Sequence, residues 1–153
     1  MISSRWAQYR SLFEYEPVFI VNGRVPGLDE MTRRDQKGLA KAITGTVLKG
    51  SAGSGGVATG RARVVVDAGD PAGLEPGDVL VAPQTDPSWV PLFVSAAAVV
   101  VNVGAMGSHA MIVSRELGIP CVVSVADATD IIPDGAIITV DGNTGTVTID
   151  SVA

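Results

Sequence analysis

The sequence predicts an α/β fold of packed layers, and three observations carry that prediction. Short apolar runs recur between glycine-marked turns at 62–66, 79–82, 98–103, 121–125, 137–140 and 146–149, the length and spacing of strands. Two helical stretches interleave with these runs, which is the pattern of mixed layers. Hydrophobic residues make up 46% of the 153 and charged ones 18%, with 18 glycines, so the chain can build a core and turn often.

The elements follow in order. Ile2, Trp6, Tyr9 and Phe13 recur at helical spacing and predict a short amphipathic helix up to about Tyr15, stopped by Pro17. Residues 18–21 read as a strand entering the turn Asn22-Gly23, and 24–38 as a polar linker. Residues 1–42 are therefore an expected N-terminal extension and 43–153 the main domain, opened by a strand at 43–48. The glycine-rich stretch 50–56 lacks the Gly-Lys-Ser/Thr ending of a nucleotide loop and leads to a strand rather than a helix. It reads as a turn. Asp86-Pro87 pairs a capping acceptor with a first-turn proline and opens a helix at 88–95. Ser108 caps a second helix at 109–117, closed by Gly118 and Pro120. Residues 141–145 form a hairpin turn; a calcium loop would need a glutamate where Val152 stands.

Several function classes drop out. A net charge of -5 with scattered cations gives nucleic acid no electrostatic footprint. The longest apolar run falls short of the roughly 20 residues that span a bilayer. The first residues do not read as a secretory signal, so a cytoplasmic location is expected. Cys121, the single cysteine, lies in an apolar run and reads as a core thiol; with one histidine in the chain, no metal site is expected.

The chemistry lies at 104–109, Gly-Ala-Met-Gly-Ser-His, between an apolar strand and a helix. A glycine turn there folds tightly, and the first helical amides present unpaired N–H groups to an anion. His109 can accept a phosphoryl group in that setting, or it can be a helix-start residue with a local hydrogen bond; spacing alone leaves both open. At about 100° per residue, Ala110, Val113 and Leu117 form the expected core stripe, with Met111 and Arg115 facing away. Met106 and Met111 are then expected at a docking face, with Arg115 docking or capping. Thr85, Asp86 and Trp89 line the site if their helix start sits beside Gly104.

Residues 104–120, Gly-Ala-Met-Gly-Ser-His-Ala-Met-Ile-Val-Ser-Arg-Glu-Leu-Gly-Ile-Pro, resemble the signature of the mobile phosphohistidine domain of PEP-utilising enzymes. That family includes phosphoenolpyruvate synthase, pyruvate phosphate dikinase, rifampicin phosphotransferase and phenylphosphate synthase. Agreement extends through 56–62, 77–81, 85–87 and 140–142, with Ala105, Gly107, Asn102 and Gly55 departing from the usual pattern. The resemblance implies a swivelling β/β/α domain in which His109 carries the phosphoryl group. Gly107, Ser108 and Ala110 would bind the phosphate, with Gly104, Thr85 and Asp86 lining the site. It further implies a phosphotransferase component that binds no cofactor itself. ATP and Mg would sit on an ATP-grasp partner domain or subunit, and a small-molecule acceptor at another. The alternative is a docking or regulatory module that keeps the fold without the chemistry.

Overall fold

The structure, a computed structural model, describes residues 2–15, 23–24, 26–33 and 38–152. It divides into two units, Met1–Leu39 and Ala40–Ala153. In the first, helix α1 (Ile2–Ser11) runs into a 3-10 turn at Leu12–Glu14. Trp6 stacks on Tyr9 at 5.5 Å and Tyr9 meets Phe13 edge-on at 5.2 Å, so the expected apolar stripe exists as an exposed aromatic ladder. The expected strand at 18–21 lies outside the described residues.

The second unit contains, among the described residues, β1 (Val47–Lys49), β2 (Ser51–Ser54), β3 (Val57–Val64), β4 (Val79–Ala82), α2 (Val90–Ser95), β5 (Ala98–Val101), α3 (His109–Leu117), β6 (Cys121–Val123), α4 (Ala128–Ile131), β7 (Ile137–Asp141) and β8 (Thr146–Ser151). The strands follow the order β1-β8-β7-β3-β4-β5-β6-β2. β1 and β2, at opposite ends of this order, are consecutive in the chain with Gly50 between them. β3 belongs to two sheets: residues 57–61 pair antiparallel with β7, and 62–64 pair parallel with β4.

β4, β5 and β6 are parallel and buried on both faces, which explains why they read as unbroken apolar runs. Alternation along them sorts two cores. Val79, Val81, Ala98, Val100 and Val122 pack with Ile138, Val140, Val147 and Ile149 of the other sheet. Leu80, Ala82, Val99, Val101, Cys121 and Val123 face the helices and pack with Phe93, Ala110 and Met111. This is the β/β/α architecture expected. No helix of the described residues is long and apolar enough to cross a membrane.

Several strand boundaries differ from the sequence reading, beginning with the strand expected at 43–48, which spans Val47–Lys49 and pairs with β8. Residues 51–54, read as part of a turn, form β2 against β6, because the neighbouring backbone rather than side-chain periodicity recruits them. β3 starts at Val57, since its first half is claimed by β7. The runs at 98–103 and 121–125 stop at Val101 and Val123, the latter where Ser124 adopts φ +57°.

Arg61 locks the start of β4. Its Nε and Nη2 donate to the two carboxylate oxygens of Asp78, each at 3.0 Å. Burial pushes the Asp78 carboxyl up, but Arg61 and the Glu75 amide outweigh it and hold the group below its usual range.

Gly142 begins the hairpin turn where two backbones cross. A Cβ there would lie 1.8 Å from the Ser54 carbonyl oxygen and 3.1 Å from the Cys121 nitrogen. Gly142→Ala is expected to destabilise the unit by about 2 kcal/mol through overpacking, read as a lower denaturant midpoint at unchanged slope.

Candidate functional site

β4 and β5 run parallel, so the chain leaves both at the same end of the sheet. Residues 83–86 leave one and 102–108 the other. The two segments are stitched together by Val103 N–H to Pro83 O at 3.0 Å and Asn102 N–H to Ala82 O at 3.1 Å. This adjacency brings His109, the first residue of α3, to Thr85, 24 positions earlier: Nδ1 and Oγ1 are 3.0 Å apart. The edge of one ring meets the face of the other between His109 and the fully buried Phe93, at 5.8 Å and 84°. One imidazole nitrogen is thus engaged and the ring plane is set.

Gly107 turns the loop with φ +83° and open space where a side chain would stand. Ser108 has the extended backbone of a cap residue, and its carbonyl accepts from Ile112 N–H at 3.0 Å. Its hydroxyl makes no capping bond, contrary to the expectation; Oγ is buried without a hydrogen-bond partner. Gly104 packs beside it, a Cβ there falling 3.2 Å from Ser108 Oγ and 3.0 Å from Val123 Cβ. Ala110 buries its methyl in the core and leaves only its backbone amide toward the loop.

Asp86 caps the 3-10 turn Pro87–Trp89 that leads into α2, accepting from the Ser88 amide at 2.8 Å and the Ser88 hydroxyl at 2.6 Å. Those two donors, with His109 nearby, hold its carboxyl below the ordinary carboxylate range. A pocket of about 570 Å³ opens beside this turn, lined by Asp67, Gln84, Thr85, Asp86, Ser88 and Trp89 among others. Of these Trp89 is largely buried and belongs to the core that faces the helices.

The face of α3 is corrected. Ala110, Met111 and Ser114 are the buried positions, Val113 is partly buried and Leu117 is exposed. Met111 is therefore core, at 1% exposure, while Met106 is open to solvent at 89%. Arg115 Nε donates to Gly53 O at 2.7 Å, fastening α3 to β2. Cys121 is buried as expected, and burial pushes its thiol up to about 11. Among the described residues no group of three or more His, Cys, Asp or Glu side chains is placed to hold a metal ion.

Sequence reasoning missed Phe93, Ser124 and Thr129. Phe93 reads as any core aromatic. Ser124 donates its hydroxyl to Gly104 O, and Thr129 pairs with Asn102; neither carries a local signal, because both contacts depend on β5 and β6 being neighbours.

Residues 74–145 match the family model described as PEP-utilising enzyme, mobile domain. The chain is similar to the phosphoenolpyruvate synthase of Aeropyrum pernix, 48% identical over 102 residues, covering 66% of this chain and 12% of that protein. It is similar to the rifampicin phosphotransferase of Bacillus cereus, 44% identical over 110 residues, covering 72% of this chain and 12% of that protein. The chain thus spans a small part of the curated relatives it matches. Among solved structures, aconitase X of Thermococcus kodakaraensis shares the fold, with TM-score 0.50, 21% identity and coverage of 69% of this chain and 98% of that one.

Proposed function

Residues 74–145 belong to the PEP-utilising enzyme mobile-domain family, and from that premise we propose that the second unit, 43–153 in its main part, is a phosphoryl carrier with His109 as the covalent acceptor. The observation that supports this most is the hydrogen bond between Thr85 Oγ1 and His109 Nδ1. In the tautomer whose Nδ1–H donates to Thr85, Nε2 keeps its lone pair and is the nucleophile. An N–P bond forms at Nε2 as a phosphoanhydride P–O bond of the nucleotide breaks, the departing oxygen keeping the electron pair. The second transfer reverses the roles, Nε2 leaving as the acceptor oxygen attacks phosphorus. The amides of His109, Ala110 and Met111 precede the first bonded amide of α3, Ile112, and with Gly107 and Ser108 supply the anion setting. Gly104, Thr85 and Asp86 shape it. An ATP-grasp domain or subunit in the cytoplasm would present Mg-ATP, and a separate domain or subunit the small-molecule acceptor.

Incubation with ATP labelled at both its β and γ phosphorus and the cognate ATP-grasp domain is expected to add one phosphoryl group that is lost in acid and kept in alkali. Acid-stable label would exclude phosphohistidine, and a chain that takes no label would support the docking-module alternative.

Thr85→Val keeps the packing of this buried residue while deleting the hydroxyl. Labelling should slow about fivefold, the rate equivalent of one hydrogen bond of about 1 kcal/mol, with Thr85→Ser near the parent. Equal rates for Val and Thr would remove the bond from the mechanism.

A further inference from the structure

The loop that carries His109 is held from outside by one short segment, 124–129. Asn102, at the start of the loop, donates Nδ2–H to Thr129 Oγ1 at 2.8 Å and accepts at Oδ1 from the Thr129 amide at 3.0 Å. Two residues on, the Ser124 hydroxyl donates to the Gly104 carbonyl. Gly104 in turn packs against Val123 and Ser108, the residue before His109. A path therefore leads from Ser124 through Gly104 and Ser108 to the backbone of His109.

Ser124 occupies an unusual backbone position. Its φ of +57° is left-handed, a conformation that costs a serine more than a glycine because Cβ crowds the backbone. Its side chain is exposed, so core packing does not account for a residue larger than glycine there. Among the described residues its hydroxyl bonds to Gly104 O, a backbone acceptor in the glycine-punctuated turn.

The geometry points to Ser124 as a positioning residue: its hydroxyl clamps the Gly104 carbonyl and so keeps His109 Nδ1 against Thr85. The assignment rests on the carrier reading for its purpose, but the clamp can be read without phosphorylation. A bond that orients a loop restricts amide opening and narrows the ring to one tautomer. Losing it loosens both, while a glycine at a left-handed position relieves strain.

The test compares the parent chain with Ser124→Gly and Ser124→Ala. Ser124→Gly is expected to melt at or above the parent temperature, while amides of 105–108 exchange about fivefold faster and the His109 ring nitrogens report a mixture of tautomers by 15N shift. Phosphoramidate, a chemical phosphoryl donor that needs no partner protein, should label it about fivefold more slowly. Ser124→Ala should show the same loosening at a lower melting temperature, because it keeps the strain without the bond. Unchanged loop exchange and an unchanged tautomer in Ser124→Gly would overturn the clamp. A parent chain that phosphoramidate does not label at His109 would overturn the carrier reading, and the exchange and tautomer data would still decide the clamp.

Discussion

Met111→Glu is expected to lose about 4 kcal/mol of stability, enough to unfold much of the second unit under mild denaturant. Met111 is 1% exposed and packs in the layer where Leu80, Val99, Val101 and Phe93 meet α3. Glutamate there would either bury an unpaired carboxylate or take up a proton, and it would also forfeit the contacts of the thioether. Urea unfolding followed by tryptophan fluorescence reads the loss directly, since Trp89 belongs to the same core. Met106→Glu is the control: at 89% exposure, the same change should leave the midpoint within about 0.5 kcal/mol of the parent. A Met111→Glu protein that unfolds with the parent would return this residue to the surface where helical periodicity alone places it.

His109→Ala should abolish acid-labile labelling, a loss of at least about a thousandfold, since it removes the proposed phosphoryl acceptor. Stability should fall by only about 1 kcal/mol, the combined weight of one hydrogen bond to Thr85 and one ring contact with Phe93 at a half-buried position. The two readouts answer different questions. Residual acid-labile label on the variant would exclude His109 as the acceptor. Loss of the cooperative melt would make it a structural residue instead.

What could be read from the sequence divides along local and non-local lines. The span of α3 was legible to the residue, because its signals are local: a cap residue with extended backbone at Ser108 and a left-handed glycine, φ +70°, at Gly118. β4 was legible for a similar reason, its four apolar residues standing between turn-forming neighbours. The rotation of α3 about its axis was not. Ranking positions by hydropathy places Leu117 inside and Ser114 outside, and the structure does the reverse. The small Ser114 lets the helix come close to the sheet, and the Arg115 bond to Gly53 pins the turn, so the buried arc shifts by about 70°. β2 was missed because Ser-Ala-Gly-Ser has no alternation to detect. The pairing of His109 with Thr85 depends on two parallel strands leaving the sheet at one end, a fact of topology on which the spacing of residues is silent.

The single residue between β1 and β2 bears on how the unit behaves when nothing is docked to it. The outermost strands of the order, three and four residues long, are spliced at Gly50, whose N–H bonds to Gly145 O at 2.8 Å beside the last hairpin. The layers therefore meet at a seam instead of ending in long straight margins of unpaired backbone, the kind of margin that recruits strands from other molecules. A carrier of the kind proposed would pass time in water between one surface and the next. Sealing the seam with two short strands and Gly50 between them leaves little open backbone through which crowded copies of such a carrier could associate.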